Sequence, residues 1–560
     1  MSTPTTHTYT AVTIGPIYKT LHHVKSTKAV WAASYMFSYL IKQLIIKLNI
    51  TKSEVILPYF EDVNLEKNYD VGLFPDRIMF NKEIADIGKI IDAVIEEFAK
   101  LVAVDIKKTE TDVNAFLKDY IQFNHVTVSI ADNENTIDVL SNYLNTIELK
   151  QKTLTYTNED FLNEFFEKKY YNFLISDVFK NNEKRFPSTI EIAMGEYKKD
   201  KTKYNDCVKK LFIKEEKAEN EIKNENEPNK IDSSDNQHLF IDEIYKNEDF
   251  KKTKRNYQKY IAVIQADGDN VGKLITAIYK TDASLISLFS ENLFKFAQKA
   301  VELIKAYNGT PIYAGGDDLL FICPVAHTKN QSQDKSKLDL IVEKSIITLI
   351  HQIDTLFDSL FKENGTLGPI IETLKDKPSM SYGVSISYYK YPLTQALEQG
   401  VTQLFYKAKK TCEKNAVAFN ILKHSGQNIA SMFHKHLCSY NLFEALLTSK
   451  VADDNYVRSI TYKLEPQAAV LFGIGCEKDF TNRNEKFDNF FRNNFNEDIH
   501  TKRNNKDEKI LIDFLEKTKE LIKAIYTENP ITTIEQSNEN LNKVYAALRF
   551  VDFLNNEEER

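Results

Sequence analysis

The stretch YIAVIQADGDNVGK, residues 260–273, and the later stretch TPIYAGGDDLLFICPV, residues 310–325, decide the fold. The first is a β-branched apolar run that ends in Asp-Gly-Asp, and helical periodicity follows through KLITAIY and ENLFKFAQKAVELIKAY. The second holds two short apolar runs joined at Gly-Gly-Asp-Asp, a hairpin signature, because glycine supplies the positive φ of a tight turn. A long helical pattern through LDLIVEKSIITLIHQIDTLFDSLF comes next, then the strand SMSYGVSISYY, the helix TQALEQGVTQLFYKAKKTC and the strand AVAFNIL. The resulting order over residues 257–425 is β-α-β-β-α-β, the ferredoxin-like or palm arrangement.

In that arrangement the first strand lies beside the hairpin. Asp267 and Asp269, which end the strand, are thereby expected to converge with Asp317 and Asp318 of the hairpin. Converging hard oxygen ligands bind Mg²⁺ or Mn²⁺. Two such ions about 3.5–4 Å apart activate an attacking hydroxyl and neutralise a departing pyrophosphate, which is nucleotidyl-transfer chemistry. Gly315 and Gly316 fit beside it, since a turn without Cβ atoms lets backbone N–H groups approach a triphosphate. Lys409, in YKAKK at the end of a helix, is a point charge for the β or γ phosphate. Singly, each feature has a plainer explanation: an acidic turn is commonly an exposed hairpin, and a Lys near a helix C-terminus complements the dipole. The strand order that joins them carries the assignment.

Upstream, residues 1–155 alternate apolar strands (TYTAVTIGPI, SEVILPYF, HVTVSIA) with amphipathic helices (AVWAASYMFSYLIKQLIIKL, ADIGKIIDAVIEEFAKLV), a compact α+β domain. Residues 156–256 read as an inserted helical domain, with FLNEFFEKKYYNFLISDVF followed by a Lys-, Glu- and Asn-rich segment whose centre, 214–237, is expected to be a mobile linker. Residues 426–560 read as a helical C-terminal domain, including SMFHKHLCSYNLFEALL, with QAAVLFGIGC as a buried helix or a loop anchor.

The 560 residues suffice for several domains, and 42% hydrophobic residues exclude wholesale disorder. A net charge of -7 leaves no global positive field, so any nucleic-acid binding must use local patches such as KKTKR at 251–255 and KAKK at 407–410. The cysteines, at 207, 323, 412, 438 and 476, form no CxxC pair and read as reduced thiols. No secretory signal and no run of about 18 apolar residues is evident, so a cytoplasmic protein without membrane contact is expected.

These residues resemble a known family, the large polymerase/cyclase subunit of type III CRISPR interference complexes, in its Cmr (III-B) version. The resemblance rests on ADGDNVGK (266–273), YAGGDDLLFI (313–322), SMSYGVSISYYKYPL (379–393), KAKK (407–410) and EKNAVAF (413–419). Upstream, GPIYKTLHHVKSTKAVWAASYMFSYL and VGLFPDRIMF (71–80) look like that family's first palm. A diguanylate cyclase shares the Gly-Gly hairpin, but Asp318 and Leu319 replace its Glu and Phe, and the large N-terminal domain has no place there.

The resemblance implies two palm domains, an inserted domain and a helical C-terminal domain. It further implies RNA-activated joining of adenylates from ATP into cyclic oligoadenylate, with two Mg²⁺ or Mn²⁺ ions. Asp267, Asp317 and Asp318 would be catalytic and, with Asp269, would bind metal; Gly268, Gly315, Gly316, Ser381, Gly383 and Lys409 would attend the nucleotide. Lys28, Ser34, Asp70 and Arg77 of the first palm are candidates for the acceptor site. Trp31, Tyr35 and Tyr39 are placed to stack a base, or equally to form core. The implied partners are the other complex subunits, including the helical small subunit, together with guide RNA and target RNA. No histidine precedes an aspartate, so no His-Asp nuclease is expected, and Cys207 alone cannot supply the family's zinc cluster. S-adenosylmethionine as the acceptor of AMP, or a catalytically silent scaffold, are the alternatives.

Overall fold

The structure is a computed structural model describing residues 6–555 except 67–68, 133, 151–159, 167–185, 200–201, 205, 207–239, 332–339, 411–412, 451–453 and 496–504. The expected linker at 214–237, Cys207, Cys412 and the end of the first inserted helix lie outside the described residues.

Two antiparallel-rich sheets organise the chain. The N-terminal sheet contains β1 (Thr6–Gly15), β2 (Val55–Leu57), β3 (Arg77–Phe80) and β4 (Gln122–Ala131), in the order β2-β3-β1-β4. The helix Thr27–Leu48 packs on it; Ser26 caps its start by accepting the Ala29 N–H at 3.2 Å, and Asn49 ends it in the left-handed region. Contrary to the expectation from sequence, this helix is long and apolar enough to span a bilayer, but it is mostly buried inside the protein. It is a core helix.

The second sheet is built from β5 (Tyr260–Asp269), β6 (Thr310–Gly315), β7 (Asp318–Pro324), β10 (Ser379–Tyr388), β11 (Ala416–Leu422) and β12 (Asn428–His434), in the order β12-β11-β10-β5-β7-β6. The β5 strand is central and covered on both faces, which is why its apolar run is continuous. Only β10 and β11 run parallel, and the helix Leu393–Gln403 makes their crossover. A separate ribbon pairs β8 (Ala326–Asn330) with β9 (Leu340–Ser345).

Two helical readings fail locally. Residues 340–345 are strand, and the helix starts only at Ile346, where Thr348 Oγ1 accepts the Ser345 N–H at 3.2 Å. Residues 428–434 are strand as well: Gly426, at φ 85°, closes a hairpin onto β11, so the palm sheet continues past residue 425 and the next helix begins at Cys438. Beyond it, Phe443 stacks on Phe433 (4.7 Å) and Phe419 (5.7 Å), and Tyr260 meets Phe553 of the last helix at 4.9 Å. Phe443, Leu446 and Leu447 are buried and belong to the core. QAAVLFGIGC forms the helix Ala468–Gly475.

The two palms meet along a seam. Loop 70–76 runs beside β6, with Ala314 N–H donating to Gly72 O at 3.0 Å and Tyr59 N–H donating to Ser290 Oγ at 2.7 Å. Phe294, from the helix Ile286–Ala306, contacts Tyr59 (6.2 Å) and Phe74 (6.3 Å) across it. Phe294→Ala is expected to destabilise the fold by about 3–5 kcal/mol through the cavity left between the palms, read as a lowered midpoint in chemical denaturation.

Candidate active site

The hairpin β6–β7 closes through Gly316 and Asp317, with Gly315 paired to Asp318 and Gly316 at φ 70°, a conformation that favours glycine. Because β5 pairs with β7, the turn reaches the end of β5, and Asp317 comes to lie over Gly268. A Cβ on Gly268 would fall 2.2 Å from Asp317 Oδ2, so the glycine of Asp-Gly-Asp makes room for the hairpin's carboxylate. Sequence reading gave Gly268 to the nucleotide; its visible task is to admit Asp317.

Asp267 is partly exposed and bonds the Lys409 ammonium, which also donates to Gly268 O at 2.8 Å. Lys409 arrives there by a specific device. Helix Leu393–Gln403 widens into a π-helical turn over Leu404–Ala408, and Lys409 N–H closes back on Leu404 O at 2.9 Å. The helix approaches β10 so closely that a Cβ on Gly383 would meet Gly400 O at 2.2 Å and Leu404 N at 2.3 Å. Gly383 is thus a packing glycine in the structure, and its effect on the site is to bring Lys409 within reach of β5. Gly315 likewise has a local reason: a Cβ there would meet the Tyr313 hydroxyl at 1.8 Å.

Electrostatics mark the cluster. Burial and the neighbouring Asp267 push the Asp317 carboxyl up to about 6. Burial, then Asp267, Asp317 and Asp76, raise Asp318 well above the usual carboxylate range. Burial also raises Asp267, against the pull of Lys409. Carboxylates that resist ionising beside one another fit a divalent cation in donor chemistry, since hard oxygens are what Mg²⁺ and Mn²⁺ take. Among the described residues, however, no group of three or more acidic, histidine or cysteine side chains is gathered as a ligand cage. The four expected metal ligands are not brought to one point: Asp267 and Asp317 converge, whereas Asp269 is fully buried and accepts from Ser379 Oγ (2.9 Å) and Ser381 Oγ (2.7 Å). Ser381, also buried, is the donor of that second bond.

The acceptor candidates are each engaged within the protein. Arg77 braces the first palm, its Nη2 bonding Asn145 Oδ1 and Glu148 Oε2, each at 2.8 Å. Asp70 pairs with Lys305 across the seam while its carbonyl accepts from Trp31 Nε1 at 2.9 Å. Ser34 is buried in its helix, Lys28 is half-buried, and Trp31 is core at 1% exposure, stacked on Tyr35 at 5.4 Å. Sequence reading passed over Asp76 and Tyr313. Asp76, in the Phe-Pro-Asp-Arg run where only Arg77 was singled out, lies within electrostatic reach of Asp318 and of Tyr313.

Residues 260–418 match the family Cas10/Cmr2, second palm domain, and residues 9–119 match CRISPR-associated protein Cmr2, N-terminal. Both matched stretches are thus similar to parts of the Cas10/Cmr2 family. A CRISPR system Cmr subunit Cmr2 from Pyrococcus furiosus is 30% identical over 200 residues, which are 32% of this chain and 20% of that relative, so the match spans about a fifth of the relative's length. The fold is similar to that of a chain in a type III-B Cmr-beta complex solved by cryo-EM in the apo state, at a TM-score of 0.52 and 11% identity, covering 88% of this chain and 77% of that one. The same comparison finds Cmr-beta bound to cognate target RNA at a TM-score of 0.47 and 12% identity, covering 91% and 78%.

Proposed function

We propose that this chain is the nucleotidyltransferase of a type III CRISPR effector complex, converting ATP into cyclic oligoadenylate when the complex holds target RNA paired to its guide. The observation that carries the reading is the convergence of Asp267 and Asp317 at the end of β5, with Lys409 on Asp267. In the reaction a 3′-hydroxyl oxygen of one adenylate bonds to the α-phosphorus of another ATP, the bond to pyrophosphate breaks, and the hydroxyl proton is released. Asp267 and Asp317 would hold two Mg²⁺ or Mn²⁺ ions, which supply activation of the hydroxyl and charge neutralisation of pyrophosphate. Lys409 moves its charge between Asp267 and the substrate phosphates as a compact ammonium on a flexible stem. The seam supports the pairing of two nucleotides, because loop 70–76 sets the first palm against the hairpin that carries Asp317.

The test is ATP turnover by the assembled complex with complementary target RNA and Mg²⁺ or Mn²⁺, products identified by mass with and without S-adenosylmethionine. Oligoadenylates are expected, and chelation of the metal is expected to abolish them. An AMP conjugate of S-adenosylmethionine would replace the acceptor while keeping the site, and no product under any condition would leave the scaffold reading.

A further inference from the structure

Asp269 sits two residues from Asp267 on β5 yet has an environment of its own. It is 0% exposed, and its Oδ2 accepts three hydrogen bonds: from Ser379 Oγ at 2.9 Å, Ser381 Oγ at 2.7 Å and the Asn415 backbone N–H at 3.0 Å. Ser381 Oγ in turn accepts from Ala416 N–H at 3.3 Å, so the carboxylate and its serine together hold two consecutive amides of one turn. That turn is unusual in backbone. Lys414 and Asn415 both lie in the left-handed region, each at φ 47°, and neither is glycine. Consecutive residues of that kind persist only where the surroundings over-determine them. Here they are gripped from the far side too, by Lys435 N–H on Asn415 O and by His434 Nδ1 on Lys414 O, both at 2.9 Å.

The other oxygen, Asp269 Oδ1, is buried without a hydrogen bond, and the cation near it is Lys409, whose Nζ is 3.7 Å away. A Mg²⁺ ion keeps several waters and dehydrates reluctantly, and a carboxylate sealed from solvent gives those waters no room. The turn that Asp269 holds carries Lys414, the residue before the Asn415 amide that bonds Asp269, so the Lys414 backbone lies at the end of β5, where Asp267 is two residues from Asp269.

We propose that Asp269 is a positioning residue, the anchor of the Glu413–Ala416 turn, and that through this turn it sets Lys414 beside Asp267 as a second cation for the substrate phosphates. It is not a ligand of the reaction's metal. The part played by Lys414 rests on the nucleotidyltransferase reading above; the anchoring does not.

Three measurements on the full chain decide it. In hydrogen–deuterium exchange, Asp269→Ala is expected to speed exchange at Asn415 and Ala416 by about tenfold or more, with the milder Asp269→Asn in between, as loss of charge-assisted bonds requires. In Mn²⁺ titration with a non-hydrolysable ATP analogue, read by electron paramagnetic resonance, Asp267→Asn is expected to weaken binding about tenfold while Asp269→Asn changes it less than about threefold. In the assembled complex, Asp269→Ala and Lys414→Ala are each expected to raise KM for ATP about tenfold with a smaller effect on kcat, and the double variant to do no more than either. Loss of Mn²⁺ in Asp269→Asn equal to that in Asp267→Asn, or unchanged exchange at 415–416 in Asp269→Ala, would overturn the anchor. Additive effects in the double variant would overturn the role of Lys414. Absence of turnover in the unaltered complex would count against the nucleotidyltransferase reading, while exchange and Mn²⁺ binding still decide the anchor.

Discussion

Asp317→Ala is expected to lower ATP conversion on the order of 10³-fold while leaving the thermal midpoint unchanged or higher, because the carboxylate is held where charge is needed and at some cost to the fold. Its half-buried position beside Asp267 already pushes its proton affinity up, to about 6, so at neutral pH the native state carries a repulsion that alanine removes. A residue kept only for hairpin geometry would behave in the opposite way: activity would persist and the midpoint would fall. Initial rates of ATP consumption and a melting curve on the same preparation separate the two. Retained turnover would refute the site assignment outright.

Gly383→Ala is expected to be the most damaging single methyl in the second palm. The added carbon would lie 2.2 Å from Gly400 O and 2.3 Å from Leu404 N, backbone atoms of a helix that cannot move aside without dragging Lys409 off Asp267. The overpacking costs about 3 kcal/mol, and the displaced lysine adds a loss of activity that stability alone does not account for. The check is denaturant unfolding together with turnover measured well below the midpoint. A variant of normal stability and normal activity would show that helix Leu393–Gln403 does not set the site.

Much of this was legible in the sequence, for identifiable reasons. The β5 run and the Gly-Gly-Asp-Asp turn announce themselves because a doubly covered strand must be continuously apolar and a two-residue hairpin needs glycine at positive φ. The convergence of Asp267 with Asp317 follows from strand order alone. What periodicity could not show was which oxygen each acid offers and to whom. Asp269 shares a face with Asp267 by the alternation of a strand, and only the two serines of β10, brought opposite by the register Ser379↔Asp269 and Ser381↔Asp267, reveal that it is already engaged. Gly383 and Gly315 suggested room for a ligand, when the atoms that need the space belong to Gly400 and Tyr313. Arg77 suggested substrate, yet Glu148, 71 positions away on a helix the sequence reading did not assign, takes its guanidinium. The strand at 428–434 was hidden because apolar spacing over seven residues does not distinguish a strand from a helix turn until its partner is known.

The bridge between Gly72 and Tyr313 has a further consequence. β6 is the last strand of its sheet, and a terminal strand offers unpaired backbone groups to any passing chain. Loop 70–76 blunts that side where Ala314 would otherwise present its N–H, so the N-terminal half acts as an internal guard against self-templating by the half that carries the acidic turn. Since the guard is synthesised first, the vulnerable rim need never be bare in the cell, and cutting the chain between the palms would release not a minimal enzyme but a sticky sheet.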